Sequence, residues 1–570
     1  MKKTIQFNFI ALVLSSFFIV SCSDGVDLAP DDATASNRKE YIKYGKKLEN
    51  PYALKNMRKA LISLKEKSKS ATNRESVDSY VDFVIDPNYL YVEIAPTSAA
   101  QEAEIKQDSS LIVFDYPLDY EFTDQVLDSR PELAPNEFPV YYSAIKIDSD
   151  LASESYYQTL EQLYIPEEDP YFDDGSTMQN KVDKKIIQKR QLFLDELLEE
   201  AYRLTGNEYQ SKSDNKSNNR LIFGTRWWPS GTISIFDEVA GRNVPVVGAK
   251  VLIRQGFTVR QAITDENGYF KTSSVRGSAR YIIQWERYDY SIRNGALFQA
   301  ELRGPMKKDE AWTYTINNGS GDSDDKYHAL IHQGAHDYYY GNRLGLTSPP
   351  RNGFGKRQMK IAAREVNDKS STVKVREIWF GAQISLKEWG SAADKVYGTT
   401  IHELAHAAHR EVDFNSYNNV VWDAYTSPCA PSAESCDHPG PTGDNNRRLL
   451  ETWASTVEIV MTLQRYKTRF GMENYSVYRD NLLRNLQLQT IARNRFYTSV
   501  GFDMTEDYNQ RINGFAYPID RVSGYTINQL EQALIGARSW WQWRDNIKNK
   551  YNNPTEIYLD ELFNNWENNI

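Results

Sequence analysis

Cysteine and histidine are both scarce, at three and seven among 570 residues. So few cysteines leave room for one local disulfide and for no cysteine-rich metal knot. Basic charge is also short. There are 67 Lys+Arg against 77 Asp+Glu, a net charge of −10, without the broad basic surface that phosphate binding favours. That balance argues against a nucleic-acid partner. Past the N-terminus no apolar run is long enough to suggest a multispanning membrane protein. With only 30 Gly and 21 Pro, a collagen repeat is out of reach, and no heptad rod is visible. Aromatic residues, in contrast, are abundant, with 37 Tyr, 23 Phe and 12 Trp. They predict packed, partly amphipathic surfaces and name no ligand. The 40% hydrophobic and 25% charged content is that of a globular chain, long enough for several domains.

Residues 1–21 read as a processing signal. Lys2 and Lys3 precede an apolar stretch from Ile5 to Val20, which ends at Ser21-Cys22-Ser23-Asp24-Gly25. The stretch is shorter than the roughly 20 residues a spanning helix needs, and no basic stop-transfer cluster follows. Ile19-Val20-Ser21-Cys22 resembles a bacterial lipobox. The resemblance implies cleavage before Cys22, lipidation of that residue and a membrane anchor on an exported soluble body. Residues 22–40, rich in Asp, Ala and Ser, then serve as a flexible tether. The remaining cysteines, Cys429 and Cys436, are close enough for a local disulfide. Closing their short loop is worth about 2.5 kcal/mol on the chain-entropy view.

The expected architecture is a multidomain α+β chain. An N-terminal α+β domain occupies 41–206, with helix formers to about residue 70. Strands are expected at Tyr89–Ile94, Leu111–Phe114 and Tyr141–Lys146, and helical pieces near 150–165 and 184–204. A polar linker at 207–220 leads to a small all-β sandwich at 221–305. Its signature is "GAKVLIR … AITDENGYFKTSSV", with the Asp265-Glu266-Asn267-Gly268 turn between β-branched and aromatic residues. This segment resembles the carboxypeptidase-regulatory-like, transthyretin-like sandwich, a family that implies an accessory role without catalysis. From 320 to 570 the chain reads as mainly helical, with an edge strand near Val373–Phe380 and helical segments from Ile527 to Trp566.

The chemistry concentrates in Thr399-Thr400-Ile401-His402-Glu403-Leu404-Ala405-His406-Ala407-Ala408-His409. No Gly or Pro interrupts Ile401–His409, so a helix is expected. Residues four apart then lie within about 40° of each other, and His402 and His406 share a face that can grip one Zn²⁺. Glu403 is placed to reach a water at that metal as general base. With only seven histidines, this His-Glu-x-x-His arrangement of metalloproteases arises by accident in well under about 1% of such chains.

Zinc needs a third protein ligand while keeping one position open. His409 shares the face but lies about 10.5 Å along the axis from His402, so it reads as a supporting or groove-lining residue. His438 could arrive from a loop. The favoured ligand is Glu451 in Leu449-Leu450-Glu451-Thr452-Trp453-Ala454-Ser455-Thr456-Val457-Glu458, where Leu450, Trp453, Ala454 and Val457 give the helix an apolar side; Glu458 is the fallback. Two histidines and a downstream helical glutamate resemble the glutamate-zinc metallopeptidases. The local "ETWA" is similar to the second motif of zinc-binding metallopeptidase lipoproteins of Bacteroidota, which implies an outer-membrane location. Ala407-Ala408-His409-Arg410-Glu411 lacks the glycine and later histidine of metzincins, and Leu450 stands where thermolysin-like enzymes carry Asn.

An oxyanion donor is also required, and Tyr525 is a candidate among the 37 tyrosines. His328, His332 and His336 repeat every four residues before Tyr338-Tyr339-Tyr340. They suggest a polar helix face near a substrate groove or a second metal site. Together these residues predict an exported, lipid-anchored zinc peptidase acting on a protein or peptide, with a zincin-like helical catalytic region. A cell-surface binding protein with a structural or degenerate zinc site, and a non-peptidase zinc hydrolase, share the same residues. Nothing in the sequence sets the oligomeric state.

Overall fold

The computed structural model describes residues 46–70, 83–108, 111–120, 138–168, 184–207, 226–295, 298–316, 324–353, 358–367, 372–373, 383–425, 440–473, 475 and 496–567. Cys22, Cys429, Cys436 and His438 lie outside the described residues, as do the signal, the tether and most of the strand expected at Val373–Phe380. The fold is multidomain, with several small sheets and a mostly helical C-terminal region. No described helix is long and apolar enough to cross a membrane.

The N-terminal part comprises α1 (Leu54–Ser70), β1 (Tyr89–Ile94), α2 (Ala99–Gln107), β2 (Tyr141–Lys146), β3 (Tyr157–Leu163) and α3 (Lys184–Leu204). Its sheet is antiparallel in the order β2-β1-β3. Two local expectations give way here. Leu111–Phe114 forms no strand and makes only a bridge from Phe114 to Tyr142. The helical piece near 150–165 is a short turn at Asp150–Ser153 followed by β3, because the edge of β1 supplies hydrogen bonds that a lone helix there could not match.

From Ser230 the chain runs through β4 (Ser230–Asp237), β5 (Arg242–Pro245), β6 (Lys250–Gln255), β7 (Thr258–Ile263), β8 (Tyr269–Lys271), β9 (Ala279–Gln284), β10 (Tyr290–Asn294), β11 (Phe298–Gln299), β12 (Glu301–Lys307) and β13 (Trp312–Ile316). One sheet has the order β12-β9-β6-β7. The other is β13-β4-β5, with β8 also on β4. The Asp265–Gly268 turn exists, and Asp265 Oδ1 accepts the amides of Asn267 and Tyr269 at 2.8 and 2.9 Å. Gly268 has φ +73°, and a Cβ there would sit 2.2 Å from the Ile233 carbonyl oxygen, so the turn demands glycine. Its flanking strands enter different sheets, making it a crossing rather than a hairpin.

The β-rich unit does not stop at residue 305. β13 at 312–316 lies parallel to β4, whereas β10 and β11 leave the sandwich. They join β14 (Met359–Ala363), β15 (Thr372–Val373) and β16 (Ile384–Leu386) in the order β11-β10-β14-β16-β15. Between β13 and β14 runs α4 (Asp324–Tyr340). After β16 come α5 (Ala393–Val412), α6 (Phe414–Tyr425), α7 (Gly440–Leu463), the short α8 (Val500–Asp503), α9 (Ile527–Gln532), α10 (Trp540–Lys550) and α11 (Leu559–Glu567).

Burial unites these pieces. One apolar core runs from Ile233 and Trp285 of the β unit through Leu330 of α4 and Leu404 of α5 to Trp453, Trp540 and Trp566. A second joins α1 and α3 to Leu252, Phe257 and Ile282 of the β unit. The β unit is therefore packed on both sides and forms part of the platform under the helices. Truncating a fully buried tryptophan in such a core costs about 3–5 kcal/mol.

Candidate metal centre

α5 is the central helix of the site. It lies against α4, where a Cβ on Gly334 would meet the Thr400 side chain at 2.9 Å. It lies equally close to α7, where a Cβ on Gly398 would stand 3.0 Å from Glu458 Oε1. Small residues at both crossings let the backbones approach, and this sets the depth at which the side chains of α5 and α7 meet.

At that depth His402, His406 and Glu451 come together, buried, with their ligand atoms all within 4.8 Å of one another. Both His402 Nε2 and His406 Nε2 stand 3.4 Å from Glu451 Oε2. This is long for a charge-assisted hydrogen bond, which closes to about 2.7–2.9 Å. It is the edge expected when two donors share a tetrahedral ion with bonds of about 2.1 Å, which places them about 3.4 Å apart. Two imidazole nitrogens and one carboxylate oxygen are also a donor set that suits a small divalent ion. The three residues form a cluster that can coordinate a metal ion. Burial alone would raise the Glu451 carboxyl, but the His406 and His402 imidazoles outweigh it and hold the group well below the usual carboxylate range.

Glu458 does not join the donors. Two turns along α7 from Glu451, it meets the opposite ring nitrogen, with its Oε2 3.0 Å from His402 Nδ1. A carboxylate there accepts Nδ1–H and leaves the Nε2 lone pair facing the cluster, the tautomer a metal requires. Glu403, the next residue on α5 after His402, is fully buried.

The other sequence candidates lie apart from this cluster. His409 is 2% exposed and packs edge-on to Tyr417, with ring centroids 4.8 Å apart. Burial, with His406 nearby, pushes it down to about 3. It is a buried core side chain. Tyr525 is buried beside the C-terminal helices, and among the described residues no contact links it to the three donors. Burial and then Glu556 push its hydroxyl up to about 12.

His328, His332 and His336 line neither an open polar face nor a second metal cluster among the described residues. His332 is fully buried, with Nδ1 3.0 Å from the Tyr290 hydroxyl and Nε2 3.0 Å from the Val247 carbonyl oxygen. Both ring nitrogens are thus used by the core between α4 and the β unit.

Tyr497 was not singled out by the sequence. Its ring lies 6.3 Å from that of His402, beside one of the three donor residues. Among 37 tyrosines no local pattern marks it. No protein-family model, curated protein or solved structure matches this chain.

Proposed function

We propose that the chain is a zinc-dependent peptidase of the glutamate-zinc type, exported and tethered through a lipid on Cys22. The observation that carries this reading is the pair of 3.4 Å edges from His402 Nε2 and His406 Nε2 to Glu451 Oε2, with Glu403, the next residue of α5 after His402, buried. His402, His406 and Glu451 would hold the ion. Bound Zn²⁺ supplies Lewis acidity toward a water and toward the scissile carbonyl.

Glu403 then does the proton work. Its carboxylate takes a proton as the water oxygen bonds to the carbonyl carbon, and it returns a proton to the amine nitrogen as the C–N bond breaks. No covalent bond to the protein forms. Glu458 keeps the His402 ring in the orientation that presents Nε2. Tyr497, whose ring lies 6.3 Å from that of His402, is the proposed donor to the developing oxyanion in place of Tyr525. The Cys22 anchor and the Bacteroidota-type envelope location are proposed with this activity, on the residues Ile19-Val20-Ser21-Cys22.

The test is elemental analysis of the chain from Ser23 onward, beside a Glu403→Gln version, with both incubated on a mixed-protein substrate. About one zinc per chain in each, with cleavage lost only in the variant, is the expected result. Zinc without cleavage in either form favours a binding protein with a structural site. Absence of zinc after reconstitution sinks the proposal.

A further inference from the structure

A second group of donors lies at the end of α8 and consists of oxygen alone. Asp503, Glu506 and Asp520 bring carboxylate oxygens within 4.8 Å of one another. Asp503 is 0% and Asp520 3% exposed, so two of the three acids are inside the protein. Like charges this close and this dry repel strongly unless something neutralises them.

The hydrogen bonds of the buried pair, Asp503 and Asp520, do not neutralise it. Ser499 Oγ donates to Asp503 Oδ2 at 3.2 Å, and Gln510 Nε2 donates to Asp503 Oδ1. The Val522 amide donates to Asp520 Oδ1 at 3.1 Å, and the Tyr508 amide to Glu506 Oε2 at 2.6 Å. These donors are neutral. The arginines of the same loop face elsewhere, Arg511 to Asn565 Oδ1 at 2.8 Å and Arg521 to Glu561 Oε2 at 2.9 Å. Two buried oxygens remain with no hydrogen-bond partner: Asp520 Oδ2 and the Oε1 of the fully buried Gln510, the residue that holds Asp503. Buried carboxylate and amide oxygens are normally paired, so these two, adjoining a cluster of acids, can accept an electropositive partner.

We infer that Asp503, Glu506 and Asp520, with Gln510 beside them, form a site for a hard divalent cation of the calcium class. Carboxylate oxygens with an amide oxygen beside them, and no nitrogen or sulfur ligand, suit Ca²⁺ and disfavour zinc, which suits the nitrogen-bearing cluster of α5 and α7. Burial, Asp520 and Glu506 all raise the Asp503 carboxyl, and burial with Glu506 pushes Asp520 up to about 8. A bound cation reverses that penalty.

The site is placed to brace the donor cluster through α8. α8 seats flush on α7, because a Cβ at Gly501 would lie 2.0 Å from Thr456 Oγ1. The Thr452 and Thr498 hydroxyls meet at 2.9 Å, next to Glu451 on one chain segment and Tyr497 on the other. A cation at the base of α8 holds the segment that carries Tyr497 against the helix that carries Glu451.

The test needs no hydrolysis. The zinc-loaded mature chain is freed of calcium, then melted in CaCl2 or MgCl2, and its calcium content is measured after gel filtration. Expected are one Ca²⁺ per chain, a Kd of about 10⁻⁶–10⁻³ M, and a calcium-specific rise in Tm of about 3 °C or more at saturation. Asp520→Asn and Asp503→Asn should abolish both calcium readouts and leave zinc content unchanged. Each should melt at or above the calcium-free parent, since each removes repulsion without changing volume. No retained calcium and no Tm shift in the parent, with Asp520→Asn more stable than the parent, would show that a shared proton closes the cluster, and would overturn the site.

Discussion

On α4, His328 and His332 are four residues apart; on α5, His402 and His406 have the same spacing. The two helices touch at Gly334 and Thr400, so they share much of one environment. Their histidines nevertheless do different things. On α4, His332 meets the β unit, where a tyrosine hydroxyl and a backbone carbonyl use both its nitrogens, and His328 is buried. Those of α5 face α7, where one carboxylate sits between two Nε2 atoms and a second takes the far nitrogen of His402. Spacing puts imidazoles on one face; the partner helix decides whether that face is core or donor set. Neutral partners satisfy an imidazole, whereas a shared carboxylate leaves a gap with the dimensions of an ion.

The largest effect should come from removing the shared carboxylate. Glu451→Ala should lose bound zinc altogether at micromolar free metal, whereas His328→Ala leaves zinc content unchanged. Elemental analysis after gel filtration measures both. Full zinc retention in Glu451→Ala would dissolve the contrast between the helices.

Much of this contrast was legible in the sequence, and the limits have physical causes. His402, Glu403 and His406 are visible because helical geometry acts over a single turn. Glu451 is visible because Leu450, Trp453, Ala454 and Val457 mark which side of its helix packs inward. Glu458 read as a spare ligand, because its partner atom depends on how closely α5 and α7 approach at Gly398, which no local pattern encodes. The fates of Tyr497 and of the α4 histidines depend on contacts across long sequence separations. The same holds for β10, whose parallel partner β14 lies beyond α4, and for β3, which is a strand because the edge of β1 is there to receive it.

A second way to sharpen the comparison is to cut what ties α4 to the end of α7. Burial would raise the Asp337 carboxyl, but His336, Arg465 and Arg469 hold it well below its usual range. Arg465 is almost fully buried and depends on Asp337, with Nη1–Oδ2 at 3.2 Å. Asp337→Ala strands that guanidinium and should cost about 3–5 kcal/mol by denaturant unfolding. A loss below about 1 kcal/mol would mean that the two helices are not coupled through this pair.

Glu458→Gln is the subtler probe of α7. An amide can still meet His402 Nδ1, but it no longer favours the Nδ1–H tautomer as a carboxylate does. Zinc affinity should fall roughly 10–100-fold, with the stoichiometry still one at saturating metal. An unchanged affinity in a competition titration would assign Glu458 a packing role only.

The smallest predicted effect belongs to α4 and depends on acidity. Burial, with His336 beside it, pushes His332 from 6.5 down to about 3, and burial pushes His328 down to about 4. Both are neutral in the fold and protonate in the unfolded chain from about pH 6.5 downward. The unfolded state therefore binds more protons in this window, so stability is full above about pH 6.5 and declines as pH falls toward the folded values. At pH 4.5 each buried histidine accounts for a loss of about 1–3 kcal/mol relative to pH 7. His332→Gln starts lower at pH 7, because Tyr290 or Val247 loses a partner, by about 1–2 kcal/mol. It lacks the titrating ring, so its stability should fall less steeply on acidification, and the two proteins should converge between pH 6.5 and 4.5. Parallel curves from urea unfolding across that range would mean that His332 takes up its proton in the fold over the same range as in the unfolded chain. It would then no longer be the neutral counterpart of His402.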